Sequence, residues 1–183
     1  RNFVPEVTVV LGSGLDAVAD AGQNGIKVYY SRVPGWPQSK VDGHAGCLVC
    51  GTMAGKRVAL LQGRTHAYEG EGSAFMNQIV LPVRTLVALG CRTFIVTAAV
   101  GSDAQPGDIG LIVDHINRLD SPLRGPNDER LGPRFLDMTA PYDPQLCGLA
   151  VSQAVAMQIR LQSGIYVANP GPAFIIQTVL TLT

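Results

Sequence analysis

The segment Gln62-Gly63-Arg64-Thr65-His66-Ala67-Tyr68-Glu69-Gly70 gathers a guanidinium, an imidazole, a phenol and a carboxylate in one short stretch. Arg64 offers a planar fork of donors for bidentate recognition of an anion, and His66 an imidazole. Tyr68 and Glu69 add a hydroxyl and an acceptor. The cluster lies just past a strand-like run, 57–61, and reads as an anion-binding site rather than a solvated loop. A second candidate is Gly12-Ser13-Gly14, between the β-branched run 6–11 and a helix over 15–19. Its N–H groups and the Ser13 hydroxyl can cradle an oxyanion at the positive end of a helix. The same glycines also suit any tight strand-to-helix turn. Gly12, Gly14 and Ala17 fit G-x-G-x-x-A loosely, and with Arg32 they allow an NADP-dependent oxidoreductase. That pattern lacks the acidic residue at the end of the second strand, where Ser31-Arg32 stands.

Other chemistry-bearing residues carry less. His44, in Gly43-His44-Ala45-Gly46, is by itself a turn residue. Cys47-Leu48-Val49-Cys50 resembles half a zinc site, but in a strand this odd spacing points the two sulfurs to opposite faces, and no second C-x-x-C exists. Both read as structural thiols, and no metal is expected. There is no G-x-S-x-G, H-E-x-x-H, P-loop lysine or EF-hand loop to anchor a hydrolase, zinc-protease or NTPase reading.

The elements that must position these groups alternate. Strands are predicted over 6–11, 26–30, 93–97, 109–113 and 165–168, with a hairpin of 47–51 and 57–61 turning at Ala54-Gly55-Lys56. Val33-Pro34-Gly35-Trp36-Pro37 is loop. Ile79, Val80, Val83, Leu86 and Val87 recur at helical spacing, so 76–89 reads as one amphipathic helix despite Pro82, with Gly90 as its cap. A continuous apolar run makes 93–97 a strand buried on both faces. Residues 121–143 form a long ordered loop, 144–162 a helix, and 175–183 a strand or core piece. Strand-helix alternation argues for an α/β layer fold with polar residues gathered at strand C-termini.

Length and composition agree with one packed domain. The chain has 183 residues, 46% hydrophobic and 15% charged, with a mean hydropathy of +0.20. Lys+Arg 14 balances Asp+Glu 14, so bulk charge favours neither nucleic acid nor anionic lipid as partner. Any anion must be bound locally. No apolar run is long enough to span a bilayer, and the segment at Arg1-Asn2-Phe3-Val4-Pro5 lacks the long apolar stretch expected of a signal peptide. The expectation is a cytoplasmic protein whose Cys47, Cys50, Cys91 and Cys147 stay reduced.

Several motifs in one order then carry a resemblance: Val9-Val10-Leu11-Gly12-Ser13-Gly14-Leu15, Gly43-His44-Ala45-Gly46, the 62–70 cluster, Gly107-Asp108-Ile109, Asp114-His115-Ile116-Asn117 and Pro122-Leu123-Arg124-Gly125-Pro126-Asn127-Asp128. Together, over residues 7–174, they resemble the trimeric purine nucleoside phosphorylases, the family that includes methylthioadenosine phosphorylase. The resemblance implies a three-layer αβα single domain, 1–183, with a central mixed, twisted sheet. It implies reversible phosphorolysis of nucleosides such as inosine and guanosine to free base and (deoxy)ribose 1-phosphate, without metal or organic cofactor, in a homotrimer. Inorganic phosphate is the co-substrate. By the same carry-over Ser13, Arg64, His66, His44 and the N–H of Ala99 hold phosphate, His66, Tyr68 and His44 act in catalysis, and Tyr68 and Phe174 meet the nucleoside. Phe135 is the candidate aromatic offered to a neighbouring subunit.

Departures from the family are as specific. Ile175-Ile176 stands where the family has the glutamate that reads the purine, and Thr97-Ala98-Ala99-Val100 lacks the asparagine before the alanine pair. The segments near 102–105 and 118–121 are short. The family's C-terminal part, with the rest of its base and sugar contacts, is absent. The expectation is a longer enzyme with losses at these loops, and the competing one a short homologue that binds phosphate or nucleoside without catalysis. Methylthioadenosine remains an alternative substrate.

Overall fold

The computed structural model describes residues 3–38, 46–171 and 180–181. They divide into two compact units, Arg1–Ala99 with Asp120–Gly125, and Val100–Leu119 with Pro126–Thr183.

The first unit is built on a five-stranded sheet in the order β2-β3-β4-β1-β5. Its strands are β1 (Val7–Leu11), β2 (Gln23–Tyr29), β3 (Cys47–Met53), β4 (Lys56–Gln62) and β5 (Thr93–Val96). β1 is parallel to both β4 and β5, whereas β2, β3 and β4 form an antiparallel meander. The β3–β4 hairpin turns on Ala54 and Gly55, both at positive φ (48° and 75°), the backbone that a two-residue turn needs to match strand twist. Side chains alternate strictly across this sheet. Val10, Leu48, Ala59 and Leu61 pack on one face with Tyr30, Trp36 and Leu86, while Leu11, Cys47, Val49, Val58 and Leu60 pack on the other with Ala19. Cys47 and Cys50 therefore do point to opposite faces. Thr8 is fully buried in β1, and its hydroxyl pairs with the Cys91 thiol at 3.1 Å, so the core leaves no orphaned polar group there.

Several boundaries differ from expectation. Residues 15–19 are not an α-helix: Asp16–Ala21 is a six-residue 3₁₀ helix, entered through Leu15 N–H to Gly12 carbonyl and Val18 N–H to Leu15 carbonyl bonds. Gly22 halts it too early for a macrodipole to build. The predicted helix 76–89 is two helices, α1 (Gly72–Ile79) and α2 (Leu81–Ala88). Pro82 sits in the first turn of α2, where its missing N–H costs nothing; inside a continuous helix it would clash with the preceding turn. Gly90 at φ 102° ends α2, donating to Val87 while Cys91 donates to Leu86. β2 starts three residues earlier than predicted, across an irregularity between Gln23 and Ile26. β5 is shorter than predicted and not buried on both faces: it stands last in the strand order, and Ile95 and Val96 are exposed.

The second unit holds β6 (Ile109–Asn117), α3 (Pro144–Ala156), β7 (Leu161–Ala168) and β8 (Leu180–Thr181). β7 lies between β6, parallel, and β8, antiparallel. β6 does not close at Val113. A bulge between Ile112 and Asp114 lets Asp114-His115-Ile116-Asn117 continue the ladder to Ala168. α3 stops six residues before the predicted Gln162, because Gln158 takes a left-handed backbone (φ 56°) and Ile159 N–H returns to the Ala154 carbonyl. Its start is capped by Asp143, which accepts from Gln145 and Leu146 N–H. Tyr142 OH meets His115 Nδ1 at 3.3 Å, joining the end of the long loop to β6. Phe135 in that loop is 90% exposed. Both units carry mixed α/β structure on mixed sheets, as expected. Residues 118–143 hold turns and bends with no helix or strand.

Candidate functional site

Because β4, β1 and β5 are adjacent and parallel, their C-terminal ends face one side, and the polar residues that follow them converge. Leu11 is in register with Gln62, and Val10 with Val96. The next residues out are Gly12-Ser13, Gly63-Arg64 and Thr97-Ala98-Ala99. This is where an open parallel sheet binds ligands.

Gly12 is buried against the neighbouring strand end. A Cβ on it would lie 2.8 Å from the Thr97 carbonyl oxygen and 2.9 Å from Ala98 Cα. Its N–H donates to Thr97 Oγ1 at 2.8 Å and is therefore committed within the protein. Gly14 has φ 84° and open space around its Cα, a turn requirement rather than a packing one. Ser13 is exposed. The expected helix-dipole contribution is lost with the α-helix, so any anion here relies on local N–H groups, the Ser13 hydroxyl and the guanidinium.

Arg64 is half-buried, and its Nη1 donates to the Thr97 carbonyl at 2.8 Å. Gly63 just before it is held by the Tyr30 hydroxyl, 2.9 Å from its carbonyl oxygen. Burial drives the Tyr30 phenol well above its ordinary range, so the group acts as a fixed donor. Gln62 donates to the Asp16 carbonyl at 3.1 Å and accepts from the Cys47 thiol at 3.0 Å. That network pins the end of β4 before the loop begins.

In the loop, Glu69 accepts from His66 N–H at 2.7 Å and faces His66 Nδ1 at 3.1 Å. A carboxylate only accepts, so Nδ1 carries the proton and proton exchange on the ring falls to Nε2. The His66 and Tyr68 rings stack, centroids 4.9 Å apart and planes 13° from parallel. Tyr68 is exposed along with Ala99. Gly70 lets the Phe75 ring close over the loop, since a Cβ would sit 2.8 Å from that ring. Thr65 Oγ1, between Arg64 and His66, is buried without a hydrogen-bond partner among the described residues.

Ser13, Arg64, His66, Tyr68 and Ala99 thus all lie in the first unit, at or beyond the ends of three adjacent strands. His44 and Phe174 fall outside the described residues. The sequence did not single out Thr97, the common partner of the glycine turn and Arg64, or the role of Glu69 in orienting His66. Both lie inside segments flagged by their neighbours, but only the strand order reveals what they touch. The dinucleotide arrangement fails on topology, because β2 is not a parallel neighbour of β1 but pairs antiparallel with β3. Among the described residues no group of three or more His, Cys, Asp or Glu could hold a metal ion, and no helix is long and apolar enough to cross a membrane.

Residues 6–175 match the sequence model of the phosphorylase superfamily. The chain belongs to that superfamily. It is similar to purine nucleoside phosphorylase 1 of Geobacillus stearothermophilus, 44% identical over 174 residues that make up 93% of this chain and 62% of the relative. The mouse purine nucleoside phosphorylase is 40% identical over 181 residues, 94% of this chain and 62% of the relative. Among solved structures, a purine nucleoside phosphorylase in complex with ribose-1-phosphate superposes with TM-score 0.86 at 36% identity, covering 94% of this chain and 66% of that one. The Schistosoma mansoni enzyme in complex with inosine gives 0.85 at 35% identity, covering 94% and 62%. This superfamily member spans about three fifths of the length of the curated relatives it matches.

Proposed function

We propose that this phosphorylase-superfamily chain carries the phosphate-binding half of a purine nucleoside phosphorylase site. In the reaction a phosphate oxygen bonds to C1′ of the ribose as the C1′–N9 bond breaks, and the electron pair of that bond departs with the purine. Positioning and electrostatics carry such chemistry. Arg64, the Ser13 hydroxyl, the Ala99 N–H and His66 hold the phosphate. His66, with Nδ1–H facing Glu69, exchanges its proton at Nε2, and Tyr68, stacked on that ring, faces the sugar. His44 and Phe174 complete the phosphate and nucleoside contacts by their match to the family's motifs. The reaction requires phosphate as co-substrate and no metal or organic cofactor. The protein is a cytoplasmic homotrimer with one nucleoside phosphorylase domain per chain, and Phe135 is offered to a neighbouring copy.

The observation that carries this reading is the convergence of the glycine turn and Arg64 on Thr97 at the ends of adjacent parallel strands. It gives one place where backbone donors and a guanidinium can meet the same anion. Relatives whose names and complexes specify purine nucleoside phosphorylase, ribose-1-phosphate and inosine support the substrate class. The test is cleavage of inosine and guanosine by the purified protein with and without phosphate, followed as release of free base. Release that depends on phosphate and yields ribose 1-phosphate is the expected result. Release that ignores phosphate overturns the reading, and calorimetric binding of phosphate without turnover replaces it with a non-catalytic binding protein.

A further inference from the structure

Thr97 spends every polar atom it has on the strand ends beneath the site. Its Oγ1 accepts from Gly12 N–H at 2.8 Å and donates to the Val10 carbonyl at 2.9 Å. Its N–H donates to the same Val10 carbonyl at 3.0 Å, and its carbonyl accepts from Arg64 Nη1 at 2.8 Å. The turn is seated directly on this residue, leaving no room for a side chain at Gly12. We propose that Thr97 is a positioning residue for the anion site: it holds the Ser13-bearing turn and the Arg64 guanidinium in one register, so that both address the same phosphate.

The chemistry requires a hydroxyl, because Oγ1 accepts from Gly12 and donates to Val10, both at the end of β1, at the same time. Valine keeps the shape and does neither. Without the hydroxyl, Gly12 N–H loses its partner and the turn is freed from β5, while the carbonyl that anchors Arg64 loses the side chain that fixes its own residue against β1. Thr97 acts through Gly12 and Arg64 and need not touch the ligand. The inference deepens the phosphate-binding reading above and rests on it. A residue that merely glued the strands together would lower stability and leave the balance between phosphate and nucleoside affinity alone.

The test is calorimetric titration of inorganic phosphate into the wild-type protein and into Thr97→Val and Thr97→Ser, with thermal unfolding and the KM values for phosphate and inosine measured on the same preparations. Loss of the hydroxyl in the valine variant is expected to raise the phosphate Kd about tenfold, the change that corresponds to about 1.4 kcal/mol. The inosine KM moves less, and serine restores the wild-type phosphate Kd. If valine does not yield folded protein, Thr97→Ala takes its place in the comparison with serine. A hydroxyl-free variant that binds phosphate as tightly as wild type overturns the proposal, whatever its unfolding temperature, as does a serine variant as weak as the valine one. Wild-type protein that binds no phosphate overturns the functional reading first, and the positioning role with it.

Discussion

Replacing Gly12 by alanine puts a methyl group into the joint on which the site is built. The new Cβ would meet the Thr97 carbonyl oxygen at 2.8 Å, Ala98 Cα at 2.9 Å and the Thr97 carbonyl carbon at 3.0 Å. These fall about half an ångström or more short of the optimal separation of 3.5–4.0 Å. All three atoms are backbone, so no side chain can swing away, and the ends of β1 and β5 must separate. Overpacking of this kind costs about 1–3 kcal/mol, and with only backbone to move the upper part of that range, about 2–3 kcal/mol, applies. For a chain of this length each kcal/mol shifts the unfolding temperature by about 2–4 °C, giving a fall of about 4–12 °C. The same displacement stretches the Gly12 N–H to Thr97 bond, so phosphate binding weakens with it. Thermal unfolding by circular dichroism and a phosphate titration measure the two effects. Gly14 is the internal control, since its Cα faces open space at φ 84° and its only demand is a left-handed backbone. Asparagine tolerates that conformation and should be milder than alanine at Gly14, but worse than alanine at Gly12, where size alone matters. An unfolding temperature for Gly12→Ala within about 1 °C of wild type, or the same ranking of alanine and asparagine at both glycines, would refute the reasoning.

Arg64→Ala removes a charge-assisted contact and is expected to weaken phosphate by roughly 1.5–3 kcal/mol, and nucleoside by much less; equal losses in the two KM values would make the arginine structural. Thr65→Val replaces a buried hydroxyl that has no partner among the described residues with an apolar isostere, so a rise in stability of about 1 kcal/mol is expected in urea unfolding, and a fall would show that the hydroxyl is satisfied. Burial pushes the Cys47 and Cys50 thiols above their ordinary value of 9.0. The unfolded chain therefore releases these protons first, so the stability they contribute is complete below pH 9 and is lost as pH rises through the higher folded values. Urea midpoints measured across that alkaline range should fall, and a Cys47→Ala/Cys50→Ala variant should fall less steeply; an equal slope would remove the thiols as the cause.

Legibility from the sequence followed the range of the interactions involved. The β-branched run in Val7–Leu11 and the apolar run in Lys56–Gln62 are local signals, and so is the period-two prediction that Cys47 and Cys50 face opposite ways; each survives because both sheet faces are buried. Local signals failed where one residue outvoted a pattern. Pro82 splits a periodic stretch into two helices, and Gln158 closes α3 with a backbone conformation usually left to glycine. Non-local failures have a different cause. The apolar run at 93–97 looks like a strand buried on both faces, yet among the described residues β5 stands last in its sheet with Ile95 and Val96 exposed, and no sequence window contains the strand order.

The candidate site shows the same division between what a side chain is and what holds it. Arg64, His66 and Tyr68 were visible as types at a suggestive spacing, because chemistry is local to a residue. Their supports come from distant parts of the chain: Tyr30 through the Gly63 carbonyl, Thr97 through its own carbonyl, and Cys47 through Gln62. These partners are 33, 33 and 15 residues away along the chain. Glu69 is the exception, three residues from His66, and its proximity made it visible without revealing that it selects the ring nitrogen that exchanges protons. The supporting bonds are individually modest, about 0.5–1.5 kcal/mol each when neutral. Their larger effect is to remove the freedom that a guanidinium on a long side chain would otherwise lose on binding an anion. Loss of a support such as Thr97 should therefore appear first as weaker phosphate binding, with Arg64 still present and still charged.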